Sequence, residues 1–215
     1  MRLNIDSPWI RAGIKMTNLL ILNFWFVIGC LPLVTIGSSL IAAFKVGLNM
    51  VRDAEDSSIT RLYWKAWKDN LAHGMLLTLF GVLVAWGIWM NFQIFAKIEN
   101  APLMMAICGL LGSVLLYVHL LYAFLLEARY ENSVWMALVN SRKICMRFFL
   151  KTLLLTGILI VQIFLFYGTS PFLTYIGLFC APAIMIYTIC RSTMPLLEKI
   201  EKDAMASDGF SVTGA

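Results

Sequence analysis

The stretch from Thr152 to Cys190 reads TLLLTGILIVQIFLFYGTSPFLTYIGLFCAPAIMIYTIC, 39 residues without one Asp, Glu, Lys or Arg. An α-helix rises about 1.5 Å per residue, so a single helix of this length would reach roughly 58 Å, about twice the ~30 Å hydrocarbon core of a bilayer. Gly168-Thr169-Ser170-Pro171 near its middle is a turn signal. The stretch therefore reads as two membrane spans, 150–167 and 172–190, joined by a tight hairpin.

Three more uncharged runs lie toward the N-terminus. Asn70–Ala96 and Asn100–Leu126 have 27 residues each, and Met16–Phe44 has 29. They are solid in Leu, Ile, Phe, Val, Trp and Met, without the alternation of a membrane barrel, so they read as helices. Composition agrees: 60% of the 215 residues are hydrophobic and 13% charged, against roughly 45–50% and 25% in soluble domains. A water-soluble globule of this size cannot hide so much apolar surface. No small-x-small cleavage site follows a short apolar region, so the first run is expected to remain.

Met16–Phe44 has two readings. Pro32 sits at its centre, which gives either one kinked helix or a hairpin of two tilted helices, 10–31 and 35–52. Basic side chains separate the readings, since cytoplasmic loops collect Lys and Arg. Six spans with both termini inside leave 16 of the 17 basic residues on the cytoplasmic side and only Lys97 outside. Five spans with the N-terminus outside leave 13 inside. The expected fold is all-α, a polytopic membrane helix bundle of six spans in three hairpins, with five spans as the alternative. Residues 1–203 form one transmembrane domain and 204–215 a polar, disordered tail. The net charge of +5 then belongs to cytoplasmic loops and does not call for nucleic acid. Cys30, Cys108, Cys145, Cys180 and Cys190 show no Cys-x-x-Cys pairing and read as small apolar filler.

Each hairpin is preceded by a similar segment. Ser58-Ile-Thr-Arg-Leu-Tyr-Trp-Lys opens with a helix cap and carries Arg61, Lys65 and Lys68 off its apolar face. Ser133-Val-Trp-Met-Ala-Leu starts the same way 75 residues later, and Ser7-Pro-Trp-Ile-Arg is a shorter version. Three units are expected, each a basic amphipathic interfacial helix feeding a hairpin. Gly81-x-x-x-Ala85 and Gly109-x-x-x-Ser113 are candidate close-packing pairs.

Residues 23–46 read NFWFVIGCLPLVTIGSSLIAAFKV. The segment resembles the signature of the YesL-like family of bacterial membrane proteins: Asn-x-Trp, then Leu-Pro-x-x-Thr-Ile-Gly, then Ala-aromatic-x-Val. It falls on Asn23, Trp25, Leu31, Pro32, Thr35, Ile36, Gly37, Ala43, Phe44 and Val46. Trp67-Lys68-Asp69-Asn70 resembles the family's aromatic-Lys-x-Asn, and Ala128-Arg129-Tyr130 its Ala-Arg-Tyr. Ser38 departs from the pattern, where the family often places Pro. The resemblance implies a bacterial cell-membrane protein encoded near carbohydrate ABC importers. It implies no reaction.

Chemistry-bearing constellations are scarce. No metal-ligand spacing, Gly-rich phosphate loop or nucleophile elbow is present, so no enzyme, cofactor, metal or catalytic residue is expected. Intramembrane ionisable residues are functional candidates by default, which singles out Lys45 and His119. The more economical reading of His119 is a hydrogen bond to a neighbouring helix. Asn23, Thr35, Tyr117, Asn91, Gln93 and Gln162 are the other polar residues at membrane depth. Asn23 precedes the Pro32 break and is read as capping the hairpin, or else as contacting a ligand beside exposed carbonyls. The acidic groups Asp53, Glu55, Asp56 and Glu198, Glu201, Asp203 read as solvated loop charges.

Two functions compete. One is an accessory membrane component of carbohydrate ABC import or its regulation, which rests on the family resemblance. The other is a small-solute transporter or channel. An ABC permease subunit ranks lower, because Glu127-Ala-Arg-Tyr-Glu-Asn-Ser lacks the second Ala and the Gly of a coupling motif. The expected partners are the bilayer and a carbohydrate transporter complex.

Overall fold

Helical periodicity and unbroken apolar runs produce helices throughout a computed structural model that describes residues 8–52, 58–98, 102–130, 133–168 and 170–207. In chain order these are α1 (Pro8–Cys30), a 3₁₀ turn at Leu33–Thr35, α2 (Ile36–Val51), α3 (Ile59–Asp69), α4 (Leu71–Lys97), α5 (Leu103–Arg129), α6 (Val134–Arg147), α7 (Phe149–Tyr167) and α8 (Pro171–Ser207). Six helices are long and apolar enough to cross a membrane: α1, α2, α4, α5, α7 and α8. The region around Pro32 is thus two helices, not one kinked span. Pro32 holds φ at −77° and ψ at 115°, and the steric demand of its ring ends α1 before it. The Thr35 hydroxyl bonds the Gly29 and Pro32 carbonyls, each at 2.9 Å, answering acceptors that the ended helix leaves open.

The centre of the molecule is α2. Its span is 61% buried inside the chain, against 17% for α1, α4 and α7. It touches α1, α3, α4, α5 and α8. Small residues allow this: Gly37, Ser38, Ser39, Ala42, Ala43 and Gly47 are all buried, and close backbone approach is how helices associate where lipid is the competing solvent. A Cβ on Gly37 would stand 2.2 Å from the Gly74 carbonyl oxygen, and one on Gly47 2.8 Å from Cys190 Sγ.

The three hairpins are present as α1–α2, α4–α5 and α7–α8. How the first meets the second differs from what charge counting implies. Six alternating crossings would put the 31–35 turn and the start of α4 on opposite faces. Instead Ser38 Oγ donates to the Leu71 carbonyl at 3.1 Å, and Gly37 abuts Gly74. α3 folds back along the first hairpin toward the same turn, with Trp25 Nε1 donating to Thr60 Oγ1 at 2.9 Å. Lys and Arg counts report loops alone; the small-residue face of α2 decides what packs against it.

The two short helices α3 and α6 start at the expected caps. Ser58 Oγ accepts from Arg61 N at 3.3 Å and Ser133 Oγ from Met136 N at 3.4 Å. The first unit differs: α1 runs unbroken from Pro8, so among the described residues no separate short helix precedes that hairpin. The cap expected at Ser7 lies outside the described residues. Of the glycine pairs, Gly81 packs on Leu120 and Gly109 on Phe92. Ser113 bonds its own helix at Gly109 O, 2.8 Å away.

α8 continues to Ser207, well past residue 190, through Pro182 and Pro195. The end of the apolar run marks the end of the lipid-like surface but not of the helix. Residues 208–215 lie outside the described part of the chain.

Candidate functional site

The signature residues divide into a cluster around the 31–35 turn and a clamp at the far end of α8. In the cluster, Asn23 is buried in α1 and its Oδ1 accepts from the backbone N of Ala183 at 3.3 Å. A proline inside a helix displaces the carbonyl four residues before it and disturbs the hydrogen bonds around it. Asn23 serves α8 beside Pro182 in this way. Within the hairpin itself, Thr35 bonds the carbonyls that the end of α1 leaves open.

Trp25 joins α1 to α3 through Thr60 and stacks edge-on against Trp64 with centroids 5.4 Å apart; Trp64 meets Trp67 at 5.3 Å. Tyr63 is fully buried on the same helix. Its hydroxyl has no hydrogen-bond partner, and burial pushes its pKa up to about 12. Asn70 ends α3, donating Nδ2 to the Ala66 carbonyl at 2.9 Å. Gly37 makes the crossing with Gly74, and Ser38, the position that departs from the family pattern, is buried and bonded to Leu71. The cluster is therefore a packing joint, with Pro32 exposed at its tip.

The second group is an ionic clamp. Arg129 Nε donates to Glu201 Oε1 at 2.9 Å and Nη2 to Oε2 at 2.8 Å, while Nη1 reaches Met194 Sδ at 3.0 Å. The Arg129 side chain is 5% exposed and that of Glu201 34%. Tyr130 donates its hydroxyl to Glu201 Oε1. Burial, and then this bond to a carboxylate, raise the Tyr130 pKa to about 12. Close by in sequence, Arg147 pairs with Asp203 at 2.7 Å. Glu201 and Asp203 are thus helical residues paired with Arg129 of α5 and Arg147 of α6, not loop charges; the Asp203 side chain stays 43% exposed and Glu198 is exposed. Asp53, Glu55 and Asp56 lie outside the described residues.

Of the two intramembrane candidates, Lys45 is half-buried on α2 and enters no ion pair among the described residues. His119 donates Nδ1 to the Leu115 carbonyl of its own helix at 2.7 Å. The expected bond to a neighbouring helix is not made, because a carbonyl one turn earlier lies nearer. Tyr117 and Gln93 are exposed, and Gln162 Nε2 donates to Thr188 Oγ1 at 2.9 Å, joining α7 to α8. Asn91 Oδ1 is buried without a partner.

Sequence reasoning missed a pair that joins the first turn of α4 to the last turn of α5. His73 Nδ1 contacts Glu127 Oε1; the Glu127 side chain is 1% exposed and that of His73 45%. Glu127 Oε2 has no partner. The two are 54 positions apart, and only the α4–α5 hairpin brings them together.

Residues 19–92 match the model of a family described as "Protein of unknown function, DUF624". The match takes in the 31–35 turn, α2, α3 and the Gly74 crossing, and stops before the Arg129 clamp. No curated protein and no solved structure matches the chain.

Proposed function

We propose that this chain is a non-enzymatic multi-pass protein of the bacterial cell membrane that docks a partner membrane assembly through α3. The YesL-like resemblance points to a carbohydrate ABC importer as the partner class. The observation that carries this reading is the asymmetry of α3. Its buried face, Tyr63 and Ala66, is locked to the bundle, and Trp25 holds its first turn. Its outer face presents Arg61, Lys65 and Lys68, all exposed and one helical turn apart, beside an open hollow also lined by Thr60 and Trp64. Charges held in register on a fixed helix can be read by a complementary acidic surface, whereas charges on a loose helix cannot.

The test is a photo-crosslinker at Arg61, which lines the same hollow, in native membranes. A discrete adduct with a sugar-permease subunit, lost in a Lys65→Glu/Lys68→Glu variant that still folds, is expected. A clean absence of any partner under mild detergent would discard this reading.

Glu127 favours the second reading, a small-solute transporter. A buried carboxylate with one unpartnered oxygen is the sort of group that transporters place on a proton or ion path. Reconstituted liposomes decide it: uptake of a sugar or ion that Glu127→Gln abolishes would support transport, and no uptake of either would end it.

A further inference from the structure

A groove of about 540 Å³ opens where α6 lies against the α4–α5 hairpin. Its walls come from three helices at helical spacing: Phe80 and Val84 on α4, Gly112 and His119 on α5, Trp135 and Arg142 on α6. The remaining lining is aliphatic, so His119 and Arg142 are its polar members.

Three observations say what fits. The first is depth. Phe80 lies nine residues and Val84 thirteen residues into α4, which at ~1.5 Å per residue is roughly 14 and 20 Å from the helix start. That is the hydrocarbon of one leaflet, where the competing solvent is acyl chain. The second is charge. Arg142 is exposed at the rim and makes no ion pair among the described residues, whereas Arg147 on the same helix is matched by Asp203. His119 Nδ1 is already engaged by Leu115, so the guanidinium is the group left to meet an anion. The third is open space. A Cβ on Gly112 would meet only the Ile88 side chain, at 3.6 Å, while Gly81 and Gly109 are closed by atoms at 2.8 and 2.9 Å.

We propose that this groove binds one anionic phospholipid, with its phosphate on Arg142, its glycerol region beside Trp135 and an acyl chain along Phe80, Val84 and Gly112. A guanidinium matches a phosphate through paired N–H donors, and Trp is at home at the headgroup level. The half-depth apolar walls exclude a soluble phosphate compound as the main occupant, because such a compound would leave them bare.

Native mass spectrometry of the intact protein in detergent, loaded with equal phosphatidylglycerol and phosphatidylcholine, tests this. Wild type is expected to keep phosphatidylglycerol about fivefold over phosphatidylcholine, the advantage of one basic contact near the membrane surface. Arg142→Gln should bring the two lipids to parity, Arg147→Gln should keep the preference, and Val84→Trp should lose both adducts. Should Val84→Trp not fold, brominated lipids serve instead: brominated phosphatidylglycerol should quench wild type more than Trp135→Phe, and brominated phosphatidylcholine should quench the two alike. Parity in wild type, an unchanged preference in Arg142→Gln, or a photoprobe at position 135 that cross-links a second protein chain instead of lipid would overturn the assignment.

Discussion

Gly37 of α2 and Gly74 of α4 meet with no room for a side chain on either: a Cβ at Gly37 would lie 2.2 Å from the Gly74 carbonyl oxygen, and one at Gly74 would lie 2.3 Å from Ser38 N. Both clashes are with backbone, which cannot swing aside. Overpacked sites of this kind cost about 1–3 kcal/mol. Gly37→Ala and Gly74→Ala should each lower the thermal midpoint in detergent by several degrees. Gly87→Ala, where nothing stands within 4 Å, should be neutral or mildly stabilising, since Ala is the better helix former by about 1 kcal/mol. Equal effects at Gly74 and Gly87 would remove the crossing.

The same crossing carries a statement about sidedness. With the native cysteines replaced, single cysteines at Val34 and Asp69 should react with an impermeant maleimide from the same side of sealed vesicles. These positions flank the joined ends of α2 and α4. Labelling from opposite sides would mean that the Ser38–Leu71 bond does not form in the membrane.

The Arg129–Glu201 clamp should show strong coupling. Charge-assisted hydrogen bonds contribute about 1.5–3 kcal/mol each, and removing one partner leaves the other buried and uncompensated. Glu201→Leu is expected to destabilise more than the paired Arg129→Met/Glu201→Leu replacement, read as thermal midpoints of the four members of a double-mutant cycle. Additive effects would show that the contact does not hold α8 to α5.

Two tyrosines set an alkaline limit. Tyr63 and Tyr130 both have folded pKa values raised to about 12, above the value of roughly 10 in an unfolded chain. The unfolded state therefore ionises first. The stability this contributes is fully present below pH 10 and is lost as pH rises from about 10 through about 12. Tyr130→Phe should flatten that part of the stability curve and also cost stability at pH 7, since it deletes a bond to Glu201. Tyr63→Phe should flatten it at no cost at pH 7, because its hydroxyl is buried without a partner. Thermal midpoints at pH 7, 10 and 11.5 separate these outcomes.

How far the sequence could be read follows from which forces are local. The helices at 71–97 and 149–167, the turns at Pro32 and Gly168, and the caps at Ser58 and Ser133 are written in neighbouring residues. Chain length per span, proline geometry and a hydroxyl three residues from an amide need no knowledge of the rest of the fold. The signature positions Asn23 and Arg129 could be marked from sequence but not given a job. Their partners, Ala183 and Glu201, lie 160 and 72 positions away.

What lipid solvation and local backbone chemistry dictate, the order of residues determined alone: an all-helical membrane chain of long apolar helices, with the region around Pro32 left as one span or two. Tertiary structure decided which hairpin ends meet, because that depends on small residues of α2 fitting backbone of α4 and side chains of α8. It decided the ionic partners for the same reason. Acidic residues such as Glu201, Asp203 and Glu127 look alike along the chain, and only packing determines that Glu127 is taken out of water while the other two pair with arginines nearer the surface.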